Sequence, residues 1–204
     1  IAAGSDVILT NTFGSSRLHL AHAGLEARFE ETNRKAVALA RQAAAASGAL
    51  VAGSLGPLGE MVEPVGTLSV DAAQAAYAEQ ARLLAEAGVD LLVIETQFDL
   101  NEAQAAVRGV KSVTDLPVVC SLSYDRGTRT MMGVKPTQAA AAFAEAGLAA
   151  IGINCGRSLE DNLKALQELR GATSLPIWFK PNAGLPSSDA DGRMVYDVTP
   201  EQMG

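Results

Sequence analysis

The sequence predicts an α/β protein built on an incomplete (β/α)8 TIM barrel of about six βα units, lacking the first and last units. Three observations carry that expectation. Short β-branched runs alternate with Ala- and Glu-rich helical stretches, the pattern of a parallel sheet joined by crossover helices. The passage from helix to strand also repeats: Ala87-Gly88-Val89-Asp90 precedes Leu91-Leu92-Val93-Ile94, and Ala146-Gly147-Leu148-Ala149 precedes Ala150-Ile151-Gly152-Ile153. In each case a glycine able to take the left-handed conformation closes a helix before a buried strand. Finally, Ala3-Gly4-Ser5-Asp6 before Val7-Ile8-Leu9 is the same punctuation with no helix ahead of it, in a chain that opens on Ile1. A start inside a repeating unit is therefore expected.

Taken in order, strands are expected near 6–10, 50–54, 90–95, 117–122, 150–154 and 176–180. Helical segments fall near 16–46 (broken around Gly24), 71–87, 100–114, 136–146 and 159–170. Asp71, and Ser158 with Asp161 three residues on, read as N-caps. Ser187–Gly192 reads as a turn-rich loop, and Thr199-Pro200-Glu201-Gln202 as the cap and first turn of a further helix. Six strands fall short of a closed barrel, which typically takes about 250 residues. An open doubly wound sheet is the alternative, but its Gly-x-Gly-x-x-Gly fingerprint after the first strand is missing.

Composition removes several function classes. The net charge of −7 has the wrong sign for nucleic acid or an anionic membrane surface. A hydrophobic fraction of 48% is that of a folded domain. No apolar run approaches the roughly 18–20 residues that span a bilayer. No secretory signal is visible, and two cysteines cannot make a disulfide framework, so the expected setting is cytoplasmic.

In a parallel β/α barrel the chemistry lies at the C-terminal ends of the strands. Here those ends read Thr10-Asn11-Thr12, Ser54 leading into Gly56-Pro57, Glu95-Thr96, Ser121 to Asp125, Asn154-Cys155-Gly156 and Lys180-Pro181-Asn182-Ala183-Gly184. Cys155 follows its strand directly, so its sulfur could serve as nucleophile or metal ligand. A small apolar side chain without function accounts for its position slightly better. Cys120, inside a strand, reads as core. Glu95 ends an otherwise apolar strand, where an unpaired charge is costly. A substrate ammonium group and a structural lysine or arginine would satisfy it equally well. His19 and His22, with no carboxylate or cysteine at ligand spacing, read as surface or packing residues, and Met131-Met132 as packing.

The strand-end segments together resemble the homocysteine S-methyltransferase family, the homocysteine-binding module found in cobalamin-dependent methionine synthase and betaine–homocysteine methyltransferase. The matching segments are GSDVILTNTFGSS at 4–16, GSLGPLGE at 53–60, GVDLLVIETQFD at 88–99, GTRTMMG at 127–133, AIGINCG at 150–156 and KPNAGLP at 180–186. They run along essentially the whole chain in the family's order.

The resemblance implies a (β/α)8 barrel and zinc-dependent methyl transfer to the homocysteine thiol, giving methionine. It implies a zinc ion held by three cysteine thiolates, with Cys155 as the first. The other two belong to a Gly-Gly-Cys-Cys-Gly segment expected beyond residue 204, so residues 1–204 are read as that domain truncated at both ends. Alone, this stretch is expected to hold zinc poorly and to show little activity. Glu95 matches the glutamate that binds the homocysteine amino group; Asn182 and Asn11 match positions lining the mouth, and no role carries over to Ser54. The methyl donor stays open among methylcobalamin on another domain, S-methylmethionine and betaine. Two alternatives accompany this reading. One is a homocysteine-binding module that docks with corrinoid- or folate-binding domains of a larger protein; the other is a catalytically silent barrel fragment.

Overall fold

A computed structural model describes residues 1, 4–196 and 198–203 of the chain. Six parallel strands follow one another in space as they do in sequence: β1 (Val7–Leu9), β2 (Leu50–Leu55), β3 (Leu91–Gln97), β4 (Val118–Leu122), β5 (Ala150–Cys155) and β6 (Ile177–Pro181). The crossovers are α1 (Arg17–Ala21) with α2 (Phe29–Ala44), then α3 (Val70–Ala87), α4 (Leu100–Lys111), α5 (Pro136–Phe143) and α6 (Leu159–Ala172). An order that never reverses excludes the doubly wound sheet, whose strand order turns back at a switch point. The sheet curls as a barrel wall does. Beyond β6, β7 (Ser187–Ser188) and β8 (Met194–Val195) form a small antiparallel hairpin where a loop was expected. The last element is α7 (Pro200–Met203), with the Gln202 side chain accepting from the Thr199 amide. No helix among the described residues is long and apolar enough to cross a membrane.

The local signals account for most element boundaries. Gly88 closes α3 at φ +97°, and Gly147 takes φ +64° before β5, as the repeated punctuation requires. Ser158 caps α6 by accepting from the Asp161 amide. Helix α3 begins earlier than Asp71 suggested: Ser69 is the N-cap, accepting from Ala72, and Asp71 lies in the first turn, where a carboxylate still favours the helix dipole. The break expected near Gly24 is present, because the chain leaves α1 at His22 and re-enters through a short 3-10 turn, Glu26–Arg28.

Two apolar layers follow from the period-two alternation of the strands. The larger lies between sheet and helices and holds Val51, Leu55, Leu92, Ile94, Cys120, Leu122, Ile151 and Ile153 against Val37, Tyr77, Leu84, Val110 and Phe143. On the opposite face a smaller cluster joins Ala52, Val93, Val119 and Ala150 with Val7, Leu9, Leu91 and Trp178. One step of two residues further along those strands come Ser54, Glu95, Ser121, Gly152 and Lys180; a second step on β5 gives Asn154. The face that is apolar near the strand starts is thus polar at the strand ends.

Two buried features set the positions of loops and strands around that polar rim. Gly152 lies beside Trp178 in β6, and a Cβ there would stand 2.1 Å from the Trp178 carbonyl oxygen. Glu102 of α4 accepts from the Leu58 amide at 2.7 Å and meets the Tyr77 hydroxyl at 2.9 Å. The same hydroxyl lies 3.0 Å from the Gly56 carbonyl and receives the Gln97 amide at 3.0 Å. This network ties the loop after β2 to α3 and α4. Burial, reinforced by the charge of Asp99, raises the Glu102 carboxyl above its ordinary range against the bonds from Leu58 and Tyr77; burial likewise drives the Tyr77 hydroxyl well upward.

Gly152→Ala is expected to lower unfolding stability by about 1–3 kcal/mol through overpacking against β6, read as a shift of the urea midpoint at constant slope. For Glu102 the native state keeps the proton at pH values where the unfolded chain has lost it. Its neutral form therefore contributes stability below the ordinary carboxylate range, and that contribution disappears as pH rises through the raised value. Glu102→Gln retains the acceptor without the ionisation, so its stability relative to wild type should increase as pH rises from the ordinary carboxylate range through the raised value. A pH-independent difference in denaturant midpoints would remove the buried-acid assignment.

Candidate functional site

Strand geometry brings Ser54, Glu95, Ser121, Asn154 and Lys180 to one rim. Glu95 is buried, with 7% of its side chain exposed, and both oxygens are engaged. Ser54 Oγ donates to Oε1 at 2.5 Å and Lys180 Nζ to Oε2 at 2.6 Å. The structural cation considered in the sequence is thus present as Lys180. Ser54 is held from behind by a closed circuit. Its amide donates to Thr10 Oγ1 at 3.1 Å, Thr10 and Thr12 share a 2.7 Å hydroxyl contact, and Thr12 Oγ1 donates to the Ser54 carbonyl at 2.7 Å.

Asn154 organises the other half of the rim. Its Oδ1 accepts from the Thr96 amide at 2.8 Å and from Ser121 Oγ at 2.6 Å. Its Nδ2 donates to Thr96 Oγ1 at 2.7 Å and to Cys155 Sγ at 3.2 Å. Every donor and acceptor of the amide is used. The two neighbours it grips, Thr96 and Cys155, are the non-glycine residues with positive φ among the described residues, +61° and +58°. Such a backbone is costly, above all for a β-branched threonine, and persists where its surroundings over-determine it. The left-handed turn at Cys155 brings its sulfur within 3.9 Å of Thr96 Oγ1, so it does not continue the strand's alternation into the helix-covered core.

The turn after β5 is clasped from two sides. The Cys155 carbonyl accepts from Asn162 Nδ2 at 2.8 Å and from the Asn182 amide at 3.0 Å. Asn182 Nδ2 donates to the Gly156 carbonyl at 3.1 Å. Gly156 itself has φ +79°, and a Cβ there would sit 2.3 Å from Asn162 Oδ1, so glycine is required.

Of the residues singled out in the sequence, Glu95, Cys155 and Asn182 fall in this one assembly. Asn11 stands apart: β1 ends at Leu9, the chain bends, and Thr10 and Thr12 turn toward Ser54 instead. Asn11 is exposed and lines a groove with Leu9, Thr32 and Leu39 along α2. His22 pairs with Glu60 at 2.8 Å on the exposed side of α1. Cys120 is buried in the helix-covered core, and burial pushes its thiol up to about 12. Cys155 is free and partly exposed. Among the described residues no cluster of three or more His, Cys, Asp or Glu side chains is placed to hold a metal ion; Cys155 supplies one soft donor. Lys180, Thr96 and the clamp role of Asn154 escaped individual notice in the sequence, although each stands in a strand-end segment.

The chain matches the homocysteine S-methyltransferase family along residues 1–204. It is 28% identical to the methionine synthase of Mycobacterium tuberculosis (strain ATCC 25618 / H37Rv) over 211 residues, covering 98% of this chain and 18% of that protein. The chain thus spans less than a fifth of that relative. The metallated form of the homocysteine methyltransferase MmuM from Escherichia coli superposes with a TM-score of 0.79 at 30% identity, over 90% of this chain and 69% of that one. Its oxidized form gives 0.77 at 31% identity, over 90% and 68%.

The contrast between the two thiols is directly measurable. Iodoacetamide at mildly alkaline pH should alkylate Cys155 in the native chain and spare Cys120 until denaturant is added, as peptide mass mapping would report. Equal labelling of both in the native state would contradict the buried position of Cys120.

Proposed function

The chain belongs to the homocysteine S-methyltransferase family, and from that premise we propose that it binds homocysteine and supports methyl transfer to its sulfur, giving methionine. The observation that carries this reading is the pairing at one rim of a free, partly exposed thiol, Cys155, with a buried carboxylate, Glu95, on neighbouring residues of the Asn154 clamp. Residues 1–204 form the homocysteine-binding domain in this reading, with further barrel units on either side.

Cys155 fits as one thiolate ligand of a zinc ion, being a soft donor held at the rim with no disulfide partner. The remaining ligands would be cysteines from outside residues 1–204. The chemistry such an ion supplies when bound is Lewis acidity, which keeps a substrate thiol ionised at neutral pH. The chain's own residues then do the positioning. Glu95 receives the substrate ammonium, with Ser54 fixing the carboxylate so that its orientation does not drift. Asn154 and Thr96 aim the Cys155 sulfur, and Asn182 holds the Cys155–Gly156 turn and closes that side of the pocket. Asn11, on the groove along α2, is given no contact with the substrate.

A second reading is a module of a larger enzyme, and the methionine synthase relative, of which this chain spans 18%, favours it. The methyl donor would then be methylcobalamin carried on another domain, with corrinoid- or folate-binding domains as partners in a cytoplasmic protein. Both readings share the homocysteine site and differ in how the donor arrives.

In the full-length protein, Cys155→Ser is expected to lose stoichiometric zinc, measured by elemental analysis. Glu95→Gln should keep zinc while raising the homocysteine KM on the order of ten- to a hundredfold, the loss of one charged hydrogen bond. Full zinc retention in the first variant, or an unchanged KM in the second, would remove that residue from the site.

A further inference from the structure

We propose that Lys180 is a specificity-determining residue that binds the α-carboxylate of the substrate, so that Glu95 and Lys180 together recognise an amino-acid zwitterion. This assignment rests on the homocysteine-binding reading of the site and adds the partner for the substrate's second charge.

The argument begins with a conflict over one oxygen atom. Glu95 is buried, Ser54 occupies its Oε1, and Lys180 Nζ stands 2.6 Å from Oε2. A substrate ammonium directed to Glu95 must approach the oxygen that Lys180 already holds. Two cations crowded on one buried carboxylate repel each other in a poorly screened setting. Expelling Lys180 altogether would forfeit the pairing that makes a carboxylate tolerable there.

An α-amino acid resolves the conflict because its carboxylate is carried on the same carbon as its ammonium. With the substrate ammonium on Glu95 and the substrate carboxylate on Lys180, the four charges alternate around a ring, each beside two of opposite sign. Lys180 is free to make that contact. Its side chain is 45% exposed whereas Glu95 is 7% exposed. Of the three N–H groups on Nζ, one serves Glu95, and the ammonium has no other hydrogen-bond partner among the described residues. Its position also suits the thiol end of the substrate, because Lys180 pairs in register with Asn154, next to Cys155. A lysine carries enough rotatable stem to shift from sharing Oε2 to facing a carboxylate without moving β6.

This arrangement discriminates in both directions. A thiol amine lacking the carboxylate would bring a second cation to Glu95 with nothing to offer Lys180. A thiol acid lacking the amine would compete for Lys180 and strip Glu95 of its counter-ion.

The test is equilibrium binding by calorimetry to the full-length, metal-loaded protein, with homocysteine, 3-aminopropane-1-thiol (no carboxylate) and 4-sulfanylbutanoate (no amine) as probes. Wild type should prefer homocysteine to 3-aminopropane-1-thiol at least tenfold. Lys180→Met should collapse that preference to near unity, by weakening homocysteine and by relieving the second-cation penalty on 3-aminopropane-1-thiol, and Lys180→Arg should restore most of it. Because the preference is a ratio on a single protein sample, a smaller folded fraction in the variant leaves it unchanged.

If Lys180→Met keeps the wild-type preference while Glu95→Gln abolishes discrimination between homocysteine and 4-sulfanylbutanoate, the Lys180 assignment is overturned and the reading of the site stands. Tighter homocysteine binding in Lys180→Met at an unchanged preference would show Lys180 to be a competing cation and likewise overturn it. If wild type does not bind homocysteine, or Glu95→Gln leaves its binding unchanged, the homocysteine reading itself fails.

Discussion

A single side-chain amide, that of Asn154, holds the rim of this molecule in its shape. By accepting from the Thr96 amide and from Ser121 while donating to Thr96 and to Cys155, it joins the ends of β3, β4 and β5 through one rigid planar group. The two left-handed residues it touches would each favour an ordinary strand conformation on their own. Their strain, of order 1–3 kcal/mol per residue, is offset by hydrogen bonds that a relaxed backbone would not make. Without this clamp, the alternation along β5 would point the Cys155 side chain into the layer beneath the helices, where Cys120 lies.

The second constraint is electrostatic. A carboxylate that is 7% exposed is tolerated only when its partners are supplied by the fold. Here they come from β2 and β6, which lie on either side of β3 in the curled sheet, and the β2 partner is itself fixed by the threonines that follow β1. Glu95 therefore reports on the curvature of the wall: Ser54 and Lys180 belong to strands that do not pair with each other, yet both reach the same carboxylate. A flat sheet would put β6 three strand spacings from β3, on the order of 14–15 Å, with β2 on the far side. The rim chemistry and the barrel-like curl are one structural fact seen from two sides.

Much of the architecture was legible before any coordinates, for reasons that lie within a few residues of one another. Gly88 and Gly147 mark helix ends because only a residue without a Cβ takes the left-handed conformation at little cost, and both do so. The β-branched runs mark strands buried on both faces. Where the reading slipped, the competing signals were also local. Ser69 outbid Asp71 for the N-cap of α3 because a hydroxyl two residues earlier completes the turn. The hairpin of β7 and β8 arose in a stretch rich in turn formers and poor in strand formers.

What the sequence by itself determined is the set of elements and the chemical identity of the strand ends: a thiol, a carboxylate and several amides and hydroxyls, each two residues beyond an apolar position on the same face or immediately beside one. What only the tertiary structure decided is which of them meet. Lys180 and Glu95 lie 85 residues apart, and nothing in either segment says that a cation three strands away will fold onto that carboxylate. Asn11 shows the reverse, since a bend at the end of a three-residue strand sends it outward and turns Thr10 and Thr12 inward. Pairing of this kind is set by sheet curvature and backbone handedness. Both emerge only when all six strands are laid side by side.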